Sequence, residues 1–313
     1  MTSTVVYGRR VFPLVCGLAS RRRCPQASIS SALRSFAGPA AGQDGKIPVA
    51  AWMKFLPELQ LLSAWKGFWR WYDKRLGDRR WPETVDICTR GADFGVRIPQ
   101  PELVLRSGIA HGSSEWRLQL CGAALYWHLA SVAAGHASVE SNAKPLTGLD
   151  VLEVGCLRGG GARYLSTVAG PRSYVAIEDS MERVEGCRRR HAAEGPDVLQ
   201  FQQASEEALG DHFPASSFDL VISVEPGDRI GNSPHAFIAG IAQVLRPGGV
   251  LLLCDMLSSA ALGAMQEALA TAGLQHECQN LNQPVKAAGI VTERPKDENY
   301  WLLWAQRPKD QPE

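Results

Sequence analysis

The chain has 313 residues, 45% of them apolar, enough to bury a sizeable core in one large domain or two small ones. Its formal net charge of +1 hides an asymmetry: residues 1–43 hold six arginines and no acid, and the rest sets 27 basic residues against 32 acidic ones. A body of that balance speaks against a sequence-independent nucleic-acid binder, which needs a basic face for phosphates. Eight cysteines with neither a C-x-x-C pair nor a histidine at metal spacing speak equally against a zinc site and a disulfide scaffold.

In chain order, the leader (1–45), Arg-rich, Ser-rich and acid-free through residue 43, has the composition of a mitochondrial transit peptide, so the expected location is the matrix or the inner-membrane surface. A secretory signal built on Val11–Ala19 is the rival, weakened by Arg21–Arg23 directly after it. No stretch reaches 18 apolar residues, so no membrane-spanning helix is expected. Residues 46–145 read as a helical extension. Five of the nine tryptophans fall between Ala50 and Trp81, where Leu61, Leu62, Trp65, Phe68, Trp69 and Tyr72 recur at helical spacing opposite Lys66, Arg70 and Lys74. That stripe suits packing on the main domain, a lid over a hydrophobic substrate, or contact with a membrane surface. Helical spacing resumes over Ser114–Ala133, and His111, Tyr126 and His128 lie where they could reach a site.

From residue 146 onward strands and helices alternate, which implies a parallel sheet with helices on both faces. The strands are Val151–Val154, Ser173–Glu178, Val198–Gln202, Phe218–Val224 and Val250–Met256, with shorter candidates around Gln275–Leu281 and Tyr300–Gln306. The helices are Gly161–Val168, one capped by Asp179 or Ser180 and ending in Arg188–His191, one starting at Ser233-Pro234 and ended by Arg246-Pro247-Gly248-Gly249, and Ala260–Ala272. A last strand entering after its neighbour has been laid outside it has to run antiparallel.

The first strand runs into the turn Gly155-Cys156-Leu157-Arg158-Gly159-Gly160-Gly161 and then a helix, an arrangement that lets an adenosine-bearing ligand lie against main chain. Two acids at strand positions define the ligand further. Glu153 can accept hydrogen bonds through water or from the ligand's amine, and Glu178, 19 residues after Gly159, can accept both ribose hydroxyls. The turn lacks the second glycine of G-x-G-x-x-G, which tilts the choice from NAD toward S-adenosylmethionine.

The run Tyr126–Met256 resembles the class I S-adenosylmethionine-dependent methyltransferases, most closely the branch of phthiotriol/phenolphthiotriol dimycocerosate methyltransferases with their sterol- and quinone-modifying relatives. The resemblance is carried by L-E-V-G-C-L-R-G-G-G at Leu152–Gly161, Y-V-A-I-E-D-S at Tyr174–Ser180, C-R-R-R-H at Cys187–His191, S-F-D-L-V-I-S-V-E at Ser217–Glu225 and V-L-R-P-G-G-V-L-L-L-C-D at Val244–Asp255. It implies a Rossmann-like α/β fold, a seven-stranded and mostly parallel sheet with a terminal antiparallel strand. It also implies S-adenosylmethionine as cofactor and a hydrophobic acceptor. Gly155, Cys156, Leu157 and Gly159 would pass beside the cofactor, Glu178 and Asp179 would meet its ribose, and Ala204, Ser205 and Glu206 would lie beside the adenine. Val224 and Glu225 would face the methyl group, with Glu225 or Asp228 as base for a hydroxyl acceptor.

The chain departs from the family pattern at Leu157 in place of glycine, at Ala204-Ser205 in place of Gly-Asp, and at Pro226-Gly227-Asp228-Arg229 in place of Ser/Ala-Ser-His-Cys. Those departures keep open a second function, a catalytically inactive methyltransferase-fold subunit or assembly factor of a mitochondrial complex.

Overall fold

The computed structural model describes residues 85–87, 98–105, 109–136, 143–191, 196–226, 233–282 and 298–309, all within the compact unit Arg79–Glu313. The leader and the Trp-rich stripe lie outside the described residues. Seven strands form one sheet: β1 (Asp150–Val154), β2 (Ser173–Glu178), β3 (Leu199–Gln203), β4 (Phe218–Val224), β5 (Leu245–Ser258), β6 (Gln275–Asn280) and β7 (Glu298–Gln306). Their order is β3-β2-β1-β4-β5-β7-β6. The first five run parallel, and β7 enters antiparallel between β5 and β6, as the order of laying down requires.

Among the described residues, six α-helices accompany the sheet: α1 (Ser114–His136), α2 (Gly160–Val168), α3 (Met181–His191), the single turn α4 (Leu209–His212), α5 (Pro234–Val244) and α6 (Ser259–Thr271). The period-two alternation of β1 and β5 sorts them into two layers. Val151, Val250, Leu252 and Cys254 face one core together with Leu125, Leu129, Leu165 and Val184 from α1, α2 and α3. Leu152, Val154, Leu251 and Leu253 face the other with Leu209, Phe237, Ile241, Met265 and Leu269 from α4, α5 and α6. Helix α1, which the sequence assigns to the N-terminal extension, therefore shares a core with the strands. Ser233 caps α5 by accepting from the Ala236 amide, with Pro234 in the first turn, and Ser258 caps α6 in the same way. The Arg-Pro-Gly-Gly run that ends α5 stays in β5 as an irregular excursion, because Leu245 still pairs with Phe218 before the ladder resumes at Val250 opposite Leu220.

That excursion aims Arg246 back under the sheet. At the beginning of the parallel strands Asp150 accepts from Arg172, Arg246 and Ser173, and Asp219 accepts from Arg246 and from the Asp150 amide. Led by the Arg172 hydrogen bond, these partners hold the Asp150 carboxyl well below the usual carboxylate range. The basic end of α3 is also paired residue by residue rather than serving only its helix dipole. Arg188 donates to the Phe201 carbonyl of β3, Arg190 stands 3.8 Å from Asp86, and the His191 imidazole donates to the Arg158 carbonyl at 2.9 Å.

At the other end of the strands, the second acid of β1 sits on an otherwise apolar face. Glu153 is 1% exposed and accepts two hydroxyls, from Tyr126 of α1 at 2.8 Å and from Tyr174 of β2 at 2.7 Å. Burial raises its pKa from 4.5 to about 7, against the two tyrosines, which favour the ionised form. The Tyr126 ring reaches Glu153 by lying across Gly161, where a Cβ would fall inside the ring. Gly160 is equally constrained, its missing Cβ being 2.6 Å from the Asp86 backbone.

Two outcomes follow from this packing. Gly161→Ala overpacks the Tyr126 ring and lowers stability by about 1–3 kcal/mol in urea unfolding. The pKa of Glu153 is higher in the folded chain than in the unfolded one, so its contribution to stability is full below about pH 4.5 and is lost as pH rises toward 7. A scan of melting temperature from pH 4.5 to 8 shows the wild type losing up to roughly 3 kcal/mol relative to Glu153→Gln. Parallel pH curves for the two proteins would show that this carboxyl does not titrate in that window.

Candidate functional site

The strand order reverses between β1 and β4, and in open α/β sheets ligands settle beyond the carboxyl ends of the strands at such a switch point. The turn after β1 and the residue after β4 both lie there. The turn folds back on β2, since the amides of Gly155 and Cys156 both donate to the Ile177 carbonyl at 3.0 Å. Gly155 (φ 79°), Leu157 (φ 50°) and Gly159 (φ 78°) all take the left-handed conformation, which costs glycine little and leucine more. The Leu157 position is held by the Gly159 amide donating to the Cys156 carbonyl at 2.8 Å and by the Cys187 thiol donating to the Leu157 carbonyl at 3.2 Å. The hydrogen bond with Cys187, and burial after it, push the Cys156 thiol well above its ordinary pKa. Gly159 has protein rather than open space beside it, a Cβ there being 2.7 Å from the Phe201 ring.

Glu178, expected from the sequence to meet a ribose, lies against this turn. It is fully buried, and its Oε2 accepts from the Leu157 amide at 3.2 Å. Its Oε1 accepts from Arg183 Nη1 at 3.1 Å, a partner five residues along on α3 that the sequence reading does not single out. The next residue, Asp179, gives its carbonyl to the Gln203 side chain at 3.0 Å. Beyond β3, Ala204 is buried and its amide donates to the Glu178 carbonyl, Ser205 is exposed with its amide donating to His212 Nε2 at 3.3 Å, and Glu206 is buried.

At the end of β4, Val224 is buried and Glu225 is half-buried in a left-handed conformation (φ 48°), its amide donating to the Cys254 carbonyl at 2.7 Å. The Tyr300 hydroxyl of β7 donates to Glu225 Oε1 at 3.1 Å. Burial, with Glu225 next in effect, holds Tyr300 far above the ordinary tyrosine pKa, so it stays a neutral donor. Asp228 lies outside the described residues. Glu153 belongs to the same strand ends but gives both oxygens to tyrosines. Of the three residues before the sheet, only Tyr126 is brought to β1, since His111 lies against Trp116 with ring centroids 4.5 Å apart and His128 is half-buried on α1, its pKa lowered by burial. A groove of about 550 Å³, lined among others by Gln243, Gly273 and Arg307, opens beside the start of β5 at the opposite end of the parallel strands.

Two functional candidates, Arg183 and Tyr300, escape the sequence reading. A cation one helical turn past the strand-end acid is a signal for the first. For the second there is none, because the register Met256↔Tyr300 between β5 and β7 is what brings it to Glu225.

Residues 152–253 match the family model described as a methyltransferase domain. Over 130 residues the chain is 38% identical to the Mycobacterium ulcerans protein named "Probable phthiotriol/phenolphthiotriol dimycocerosates methyltransferase 2", covering 42% of this chain and 48% of that one. Over 154 residues it is 32% identical to the phthiotriol/phenolphthiotriol dimycocerosates methyltransferase of Mycobacterium leprae, covering 49% and 55%. A fatty-acid O-methyltransferase of Mycolicibacterium smegmatis is 38% identical over 128 residues, covering 41% and 44%. The chain thus aligns with about half the length of each of these relatives. Strand order, the turn after β1, the acid closing β2 and these matches agree: residues 152–253 form a methyltransferase domain, similar over about half the chain to the phthiotriol/phenolphthiotriol dimycocerosates methyltransferases.

Proposed function

We propose that the protein transfers a methyl group from S-adenosylmethionine to a small hydrophobic acceptor carrying a hydroxyl or carboxyl group. The observation that carries this reading is the meeting of three elements at the β1/β4 switch point: the left-handed turn Gly155–Gly159, Glu178 hydrogen-bonded to that turn, and Glu225 after β4. The backbone frame fits the cofactor. The turn offers main chain, Glu178 stands against the Leu157 amide where a ribose diol would be accepted, and Ala204-Ser205-Glu206 follows β3 on the adenine side.

When bound, S-adenosylmethionine supplies an electrophilic methyl group on a sulfonium. What remains for the protein is to align the acceptor, exclude water and take a proton. Alignment and water exclusion are worth roughly 7–11 kcal/mol of barrier in well-oriented systems. Glu225 is the proton acceptor in this reading. Its left-handed backbone projects it from the strand end, and the Tyr300 hydroxyl on Oε1 fixes the carboxylate plane. The lipid-like substrates in the names of the relatives, dimycocerosates and fatty acids, support a hydrophobic acceptor. The acid-free, Arg-rich residues 1–43 support a mitochondrial location, and the Trp-rich segment after them a contact with a membrane surface or a protein partner.

One observation favours a second reading, a methyltransferase-fold assembly factor without catalysis: Glu178, the ribose acceptor, is fully buried and ion-paired. Titration calorimetry with S-adenosylhomocysteine separates the two. The enzyme reading expects binding, weakened about tenfold or more by Glu178→Ala, and labelled methyl transfer to long-chain fatty acids or isoprenoid phenols. It further expects Glu225→Gln to lower kcat by about 10²–10⁴ with the S-adenosylhomocysteine affinity unchanged. No heat and no thermal shift at millimolar ligand would overturn it. A fusion of residues 1–46 to a fluorescent reporter localises to mitochondria in this reading, and a diffuse cytosolic signal would remove the targeting proposal.

A further inference from the structure

Resting on the reading that the cofactor's ribose is accepted by Glu178, we infer that Arg183 is a latch on that acceptor. In this reading cofactor affinity is set by competition between its guanidinium and the ribose diol for one carboxylate. The carboxylate has no exposed surface, and each of its oxygens accepts a hydrogen bond, Oε2 from the Leu157 amide at 3.2 Å and Oε1 from Arg183 Nη1 at 3.1 Å. Only one of these partners can leave cheaply. The Leu157 amide belongs to a turn pinned by Gly159, Cys187 and the paired amides of Gly155 and Cys156. Arg183 is a long side chain in the first turns of α3, 13% exposed and so at the boundary of solvent. A guanidinium can swing outward on its aliphatic stem and keep its charge hydrated.

The guanidinium also explains how the acid is tolerated there. A carboxylate buried without a partner is strongly unfavourable, and a charged hydrogen bond offsets that cost. A ribose diol brings two neutral donors to the same oxygens but no compensating charge. Entry of the nucleoside therefore exchanges a charged partner for neutral ones, and part of the binding free energy is used to open the pair. Arg183 acts through Glu178 and is a positioning residue, not a catalytic one.

The test is calorimetry on the full chain with S-adenosylhomocysteine, comparing wild type with Arg183→Met, which keeps the stem and removes the guanidinium. The latch expects binding about tenfold tighter, and it expects the gain to vanish when the probe is 2′,3′-dideoxyadenosine rather than adenosine, a dependence on the diol that a merely structural arginine would not produce. Arg183→Lys keeps the compensating charge but loses the planar fork, so it guards against a variant that fails to fold, and it is expected to bind about threefold tighter. Wild-type binding with equal or weaker binding in both folded variants overturns the latch and leaves the cofactor reading standing. Silence of wild type and variants alike at millimolar ligand overturns the cofactor reading and the latch with it.

Discussion

The constraint on which the rest of the domain depends is the burial of one carboxylic acid in the central strand. Glu153 is the polar side chain on a face of β1 whose neighbours are Val151 and, on β4, Leu220 and Ile222. An acid there without hydrogen bonds would cost several kcal/mol, so the two hydroxyls that meet it are obligatory. They come from different places, Tyr126 on α1 and Tyr174 on β2, and both arrive only if β2 keeps its register against β1 and α1 lies across the start of α2. The last glycine of the run makes that crossing possible, because the Tyr126 ring occupies the space of a Cβ at Gly161. A single acid thereby fixes a strand pairing and a helix position together.

This divides the glycines of the turn into two kinds. Gly155 and Gly159 are there for backbone conformation, with φ near 80°, Gly159 also lying against the Phe201 ring. Gly160 and Gly161 are there for close approach, to the Asp86 backbone and to the Tyr126 ring. In a sequence the four look alike, and all of them read as part of a ligand cradle. The structure gives the second part of the turn, Gly160 and Gly161, to packing against chain that precedes the sheet.

Much of the sheet was legible because parallel strands buried on both faces are short apolar runs between Gly, Pro and polar residues. Ser173–Glu178 and Phe218–Val224 have in the structure the bounds their composition implies. β5 begins five residues before its apolar run, since Leu245 pairs with Phe218 through an excursion that no pattern of hydrophobicity encodes. The turn α4 has too few residues for a period to show. Among site residues, the strand-end acids Glu178 and Glu225 were legible for the same reason as the strands, since a polar residue closing an apolar run in a parallel sheet faces the carboxyl edge. Their partners were not. Arg183 and Tyr300 reach them through the direction of α3 and the β5–β7 register, which are properties of the assembled sheet.

Leu157 and Glu225 are the two non-glycine residues in left-handed conformation beside the switch point, and such positions cost of order 1–3 kcal/mol each. They persist where surrounding bonds over-determine them. Glu225 is fixed by its amide on the Cys254 carbonyl and by Tyr300 on its carboxylate. Leu157 is fixed by Cys187 on its carbonyl and by its own amide on Glu178. Glu178 therefore has a duty to the turn before any ligand is considered: one of its oxygens helps hold a leucine in a conformation that favours glycine. A glycine at that position would need no such bond, and the carboxylate could turn wholly toward a ribose. With leucine there, the acid is shared between the strain of the turn and the ligand it would accept, and the guanidinium on its other oxygen balances a charge that the turn will not release.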